Sequence, residues 1–176
     1  MWTLDDVRKP GWYVQQHATL LFVVRDGQVL LIHKKRGLGA GKINGPGGRL
    51  EPGETPKEAA IREINEELCV DPVGVREVGE LSFQFFEGLS IYVNVFKADD
   101  CVGEAEETDE AIPRWTPIDQ MPYEQMWADD AHWVPLMLAE TPFCGYFLFD
   151  DEVMVDYAIE KGSAATRLER GQGRGA

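Results

Sequence analysis

The residues able to do chemistry are concentrated in one segment, GRLEPGETPKEAAIREINEELCV, residues 48–70. Glu63, Glu66 and Glu67 follow one another at helical spacing, so a helix here places all three on one face. Ala60, Ile61, Ile64 and Leu68 form an apolar stripe roughly opposite. Carboxylates crowded onto about one turn repel one another by a few tenths of a kcal/mol per pair in water. Arg62, four residues after Glu58 and four before Glu66, offsets part of this. Taken alone, such a face is an ordinary solvated helix surface. The sequence leading into it changes the reading. Seven glycines lie between positions 37 and 53, a density that marks positive-φ backbone or close approach to a ligand. Hard oxygen ligands beside accessible backbone suit Mg2+, with Mn2+ as a substitute, and a polyphosphate bridged to the carboxylates by the metal.

The flanking elements must hold this segment in place. Thr55-Pro56 opens a helix, with proline in the first turn and Glu58 completing a capping-box pattern, and the helix runs to about Leu68. Upstream, 17–24 (HATLLFVV) and 28–33 (QVLLIH) read as strands joined by an Asp26-Gly27 hairpin turn. Downstream, 73–86 and 89–98 read as two long strands with a Glu87-Gly88 turn. Residues 99–110 hold seven acids and no base and read as a solvated loop. A short strand is expected at 112–116. A helix is expected at 127–139, burying Trp133, Leu136 and Leu138, and a terminal hairpin at 143–149 and 153–159 across Asp150-Asp151. Strands on both sides of a central helix, with a second helix late, suggest an α/β sandwich around a mixed sheet. This gives a single domain over 1–161 and a disordered C-terminal tail over 162–176, which is rich in Gly and Arg.

Composition sets outer bounds. A chain of 176 residues, 44% of them apolar, fits one domain with a real core. No apolar run approaches the roughly 20 residues of a membrane span, and the N-terminus lacks a signal-peptide plan, so a cytoplasmic protein is expected. The formal charge of −14, from 17 basic and 31 acidic residues, opposes binding of a nucleic acid polymer. It allows a small anion that arrives with metal ions. Cys69, Cys101 and Cys144, odd in number and far apart, read as free thiols.

Segment 48–70 resembles the signature of the Nudix hydrolases, G-x5-E-x7-R-E-U-x-E-E-x-G-U, where U is a bulky aliphatic residue. Gly48, Glu54, Arg62, Glu63, Ile64, Glu66, Glu67 and Val70 fall in register. One position departs: Cys69 stands where the signature has the glycine that ends the helix, at a cost of roughly 1 kcal/mol if the left-handed conformation is kept. The resemblance implies a Nudix-type α/β/α fold and Mg2+-dependent cleavage of a phosphate chain. It makes Glu63, Glu66 and Glu67 metal ligands, one of them the general base, with Arg62 orienting them. Glu54 becomes an outer acid bracing the loop, and Gly48 permits the turn that brings backbone to the metals.

Over 19–159 the chain is similar to the MutT-like oxidised purine nucleoside triphosphatases. The likeness is carried by HKKRGLGAGKINGPGGRLEPGE, ELSFQF, ETDEAIPRW, PYEQMWADDAHWVPLML and PFCGYFLFDDEVMVDY. It implies hydrolysis of oxidised purine nucleoside triphosphates to monophosphate and pyrophosphate, a nucleotide-pool sanitation role, by a protein expected to act as a monomer. Trp127 offers a flat face for a purine, and the adjacent carboxyls Asp129 and Asp130 suit a base edge. Crowded in an apolar pocket, one of the two would keep its proton. The resemblance further makes Asn44 an amide contact to the base, Lys34 a pocket-floor or phosphate-side cation, Phe83 and Trp133 pocket walls, and Glu110 an additional metal-side glutamate. Each has a plainer reading: both tryptophans and Phe83 as core, and Asp129-Asp130 as a helix N-cap. Leu38 and Pro46 replace aromatic residues of the relatives. Alternatives are a Nudix hydrolase acting on another nucleoside diphosphate-linked substrate, and a non-catalytic nucleotide-binding module.

Overall fold

The hairpin that opens the fold follows directly from its turn. Asp26 and Gly27 both take positive φ, 51° and 72°, the geometry whose twist matches that of antiparallel strands. It joins β1 (Gln16–Arg25) to β2 (Gln28–Lys34), with Arg25 opposite Gln28. A computed structural model describes residues 1–162; from residue 163 onward, the expected tail lies outside the described residues. The described chain groups into two compact units. One comprises Thr19–Glu77 and Phe96–Trp127; the other comprises Met1–Ala18, Val78–Val95 and the chain from Ala128 onward.

In the unit around Thr19–Glu77, β2 pairs antiparallel with β3 (Ile43–Asn44) and with β9 (Ala111–Pro117), and β4 (Gly47–Arg49) pairs with β1. The helix α2 (Pro56–Leu68) begins at a complete capping box, Thr55 and Glu58 each satisfying the other's backbone N–H. Its residues Ala60, Ile64 and Leu68 are fully buried against Leu21, Val23, Leu30, Ile32 and Phe96, while Ile61 is partly buried. Burying Ile64 and Leu68 contributes roughly 1.5–3 kcal/mol each.

The long strand expected from residue 73 is broken. Gly74 takes φ 76°, separating β5 (Asp71–Val73) from β6 (Arg76–Phe85). A side chain at Gly74 would put Cβ 2.7 Å from an Asp99 carboxyl oxygen. The acidic stretch 99–110 is also not merely a solvated loop. Its start forms β8 (Asp100–Val102), which pairs with β5, and its later part is hydrogen-bonded to the end of α2.

The other unit contains a mixed sheet. β10 (Phe143–Asp150) runs parallel to β6 and antiparallel to β11 (Val153–Lys161). β7 (Ser90–Ala98) follows β6, and β1, β6 and β7 each contribute residues to both units. α3 spans Asp130–Leu138 rather than starting at Trp127. It buries Trp133, Val134 and Met137, whereas Leu136 and Leu138 are only half-buried. A short helix absent from the sequence expectation, α1 (Leu4–Arg8), is capped by Thr3 and Asp6. It packs Val7, with Trp12, against Tyr92, Tyr146 and Leu148. The α/β class with a mixed sheet is as expected from the sequence. Among the described residues, no helix is long and apolar enough to cross a membrane.

Candidate active site

The glutamates of α2 do not share one environment. Glu66 is exposed, Glu63 is half-buried and Glu67 is only 3% exposed. The glycine pair at the end of the loop covers the inner part of this face. The Gly47 N–H donates to Glu67 Oε1 at 2.8 Å. Both glycines are there for space. A Cβ on Gly47 would lie 1.9 Å from the Thr19 carbonyl oxygen, and one on Gly48 would lie 2.4 Å from the Glu63 carboxyl carbon. Gly47 was not among the residues singled out from sequence; the signal was the adjacent pair Gly47-Gly48.

Arg62 organises the outer side. Its Nε donates to Glu54 at 2.6 Å, and its Nη atoms reach Glu54 at 2.8 Å, Glu63 at 2.9 Å, Glu66 at 3.2 Å and the Arg49 carbonyl at 3.1 Å. This bidentate grip pulls the Glu54 carboxyl down to about 2, and Glu54 braces the loop as expected. Glu58, by contrast, is spent on the helix cap and not on Arg62.

Burial dominates the inner side. It pushes the Glu67 carboxyl up to about 8, the charges of Glu63 and Glu110 add to the shift, and the Gly47 N–H and Lys34 oppose it. Glu63 is raised chiefly by burial as well. Lys34 is half-buried, and burial lowers its ammonium against the pull of Glu67, Glu63 and Glu110. The structure therefore brings Lys34, Glu63, Glu67 and Glu110 within electrostatic reach of one another. Glu110 is held by Arg36 at 3.1 Å, a partner not foreseen. The loop behind it is fastened to α2 by the Thr108 hydroxyl, which donates to the Glu67 carbonyl at 2.7 Å.

Among the described residues, no three acidic, histidine or cysteine side chains converge as a preformed metal cage. Arg62 holds Glu63 and Glu66 from the outer side. The donor set nonetheless fits a hard divalent ion: all oxygen, with buried carboxylates that raise one another's proton affinity and a Gly48 backbone cleared of any Cβ. Glu63, Glu66, Glu67 and Glu110 could hold such an ion.

In the same unit, Trp127 and Asn44 are half-buried. Lys42 sits over the Trp127 ring at 5.2 Å, and a Cβ on Gly39 would lie 2.7 Å from the indole nitrogen. Asn44 donates to the Lys42 carbonyl at 3.3 Å. Lys42 and Gly39 were missed because only their spacing to a residue far along the chain gives them meaning.

In the other unit, Asp129 and Asp130 are buried. Asp129 occupies the N-cap position of α3 but makes no side-chain cap bond. Its carboxylate instead accepts from the Trp133 indole N–H at 2.7 Å. Burial raises both acids. The charge of Asp129 and the interaction between the two carboxyls raise Asp130 further, while the Trp133 N–H and that same interaction hold Asp129 back. Trp133 is fully buried and stacked on Phe143 at 5.8 Å, a core position rather than an open wall. Phe83 is half-buried and stacked on Phe147 at 5.3 Å; Phe147 was not singled out from sequence.

Cys69 adopts φ 62° and ψ 33°, the left-handed conformation expected of the glycine it replaces. The three cysteines are free. A model of the Nudix domain family matches residues 15–137. The chain belongs to the Nudix family. Its Nudix segment 48–70 supplies Gly48 of the glycine pair, α2 and the left-handed end described above. The chain is 44% identical over 151 residues to the oxidized purine nucleoside triphosphate hydrolase of Danio rerio, covering 85% of this chain and 97% of that one. It is 39% identical over 145 residues to the protein of the same name from Mus musculus, covering 81% and 93%. Among solved structures, it is similar to the MutT protein of Bacillus halodurans, with a TM-score of 0.75 and 28% identity over 82% of this chain and 97% of that one.

Proposed function

We propose that this Nudix protein hydrolyses oxidised purine nucleoside triphosphates to the monophosphate and pyrophosphate in a Mg2+-dependent reaction. The observation that carries the chemistry is the buried Glu67 carboxyl, held by the Gly47 N–H and raised by the nearby Glu63 and Glu110. A site that crowds carboxyls in this way is built for a cation. The substrate class is supported by the names of the Danio rerio and Mus musculus relatives, whose lengths the chain spans almost entirely.

Glu63, Glu66, Glu67 and Glu110 would hold the metal, with Gly48 as backbone beside it. When bound, a divalent ion supplies charge neutralisation of the triphosphate and lowers the pKa of water. Arg62 keeps Glu63 and Glu66 oriented while Glu54 anchors it. Glu67, once ionised, takes the proton of the attacking water at its carboxylate, its position fixed by the Gly47 N–H. The water oxygen attacks a phosphorus of the α–β anhydride in line, and the bond from that phosphorus to the bridging oxygen breaks, giving the monophosphate and pyrophosphate. Lys34, its ammonium lowered by burial and supported by Glu67, Glu63 and Glu110, would face the phosphate oxygens.

For the base, the Asp129–Asp130 pair, both carboxyls raised by burial, would retain a proton and so offer both an acceptor and a donor. A pair of this kind can meet two different oxidised purines by moving that proton. Trp127 offers a flat face for stacking, and Asn44 an amide. Trp133 contributes by orienting Asp129.

The test is pyrophosphate release from 8-oxo-dGTP, 2-hydroxy-dATP and dGTP at matched concentration, with Mg2+ and with chelator. Mg2+-dependent preference for the oxidised purines is expected. Equal turnover of all three would keep the chemistry and sink the substrate assignment, and no turnover would sink both.

A further inference from the structure

The segment ahead of β1 lies largely outside the family match at 15–137, yet it is bonded to the sheet of its own unit along much of its length. Trp12 is 4% exposed, and its indole N–H donates to Gln84 Oε1 at 2.9 Å. The Tyr13 carbonyl accepts from the Ser90 hydroxyl at 2.8 Å. Gln15 N–H donates to the same hydroxyl at 3.0 Å, and the Gln15 amide donates to the Gly88 carbonyl at 3.1 Å. Every one of these partners sits on β6, β7 or the turn between them.

Gln84 is the link that matters. It is 1% exposed, and its amide also donates to the Phe85 carbonyl at 2.9 Å and the Leu89 carbonyl at 3.2 Å. One side chain therefore pins both ends of the β6–β7 turn and receives the strap. Successive strand residues point to opposite faces. Gln84 and its partner Leu148 on β10 face Trp12, while Phe83 and its partner Phe147 form the aromatic stack on the other face. Phe83 is half-buried in a strand whose neighbouring residues are fully buried.

We infer that Trp12, acting through Gln84, is a positioning residue that sets the orientation of Phe83 for the purine. The inference rests on the reading of Phe83 as a base contact. The strap thus controls selectivity from the face of the sheet opposite the aromatic residues, and it leaves the phosphate chemistry alone.

The test is Trp12→Phe, which keeps the ring and removes the N–H. KM for 8-oxo-dGTP should rise about fivefold and the preference over dGTP should fall by a similar factor. kcat and the Mg2+ half-saturation point should not move. In a Phe83→Ala background, Trp12→Phe should have no further effect on that preference. A lowered melting temperature with unchanged KM and preference would overturn the inference, as would additive effects of the two substitutions, because both describe a merely structural strap. Affinity for 8-oxo-dGMP by calorimetry separates the two readings: absent wild-type turnover overturns the proposed hydrolysis, whereas an unchanged affinity in Trp12→Phe overturns the positioning role.

Discussion

Replacing Cys69 by glycine should make this protein more stable. Cys69 holds φ 62° and ψ 33° at the end of α2, with its N–H bonded to the Asn65 carbonyl at 2.8 Å. An L-residue in this conformation costs roughly 1–2 kcal/mol. Glycine removes that cost and loses about 0.5–1 kcal/mol through its greater backbone freedom when unfolded. The Cys69 side chain is exposed, so little packing is forfeited. The net gain is about 0.5–1 kcal/mol, a rise of about 1–4 °C in Tm for a chain of this size. Reversible urea unfolding at constant m, checked by calorimetry, measures it. Turnover should be unchanged, because the carbonyls at the helix end are satisfied from elsewhere: Glu67 by Thr108 and Leu68 by the Glu106 N–H. An unchanged or lower Tm would refute the claim that the left-handed turn strains this chain.

Glu67→Gln should lower kcat by at least about a hundredfold with the melting temperature maintained, since a general base is lost while glutamine keeps an oxygen to accept from the Gly47 N–H. Because burial holds the Glu67 carboxyl near 8 in the metal-free protein, Mg2+ must displace its proton. Calorimetric Mg2+ affinity should therefore rise with pH up to about 8, by at most about tenfold per unit, and flatten in Glu67→Gln. Gly48→Ala drives Cβ into the Glu63 carboxyl and should cut kcat/KM by about tenfold or more while leaving secondary structure by circular dichroism intact. Burial and the charge of Asp129 raise the Asp130 carboxyl in the folded chain above its unfolded value. Its contribution is thus present below the ordinary carboxyl range and lost as pH rises through its raised folded value. Asp130→Asn should gain on the wild type by up to about 1.4 kcal/mol per pH unit in that window, and parallel stability curves would contradict the assignment.

Local signals made much of this readable in the sequence. The Asp26-Gly27 turn, the Thr55–Glu58 box and the stripe of Ala60, Ile64 and Leu68 each rest on neighbours a few residues apart. What was not legible depended on distant partners. The depth to which Glu67 is buried could not be read, because the glycine that covers it lies twenty residues earlier, at Gly47. The acidic stretch looked like plain loop because β8 is a strand only by virtue of β5. α3 is apolar nearly all round and carries Pro135 inside it, so its periodicity could not tell Val134 and Met137 from Leu136 and Leu138. Arg36, Lys42 and Phe147 acquired significance only from what the fold set beside them.

The fastening of the Glu110 loop divides its tolerance to changes in length. From Glu106 onward it is tied at several points: Glu106 and Thr108 to the end of α2, and the Thr108 and Glu110 carbonyls to Lys35. Gly103 and Glu104, just before, are exposed. A residue inserted between Gly103 and Glu104 is taken up as slack at little entropic cost. The same residue inserted between Thr108 and Glu110 shifts a carboxylate against a helix that cannot follow. Drift in chain length is thus tolerated between Gly103 and Glu104 and ruinous between Thr108 and Glu110.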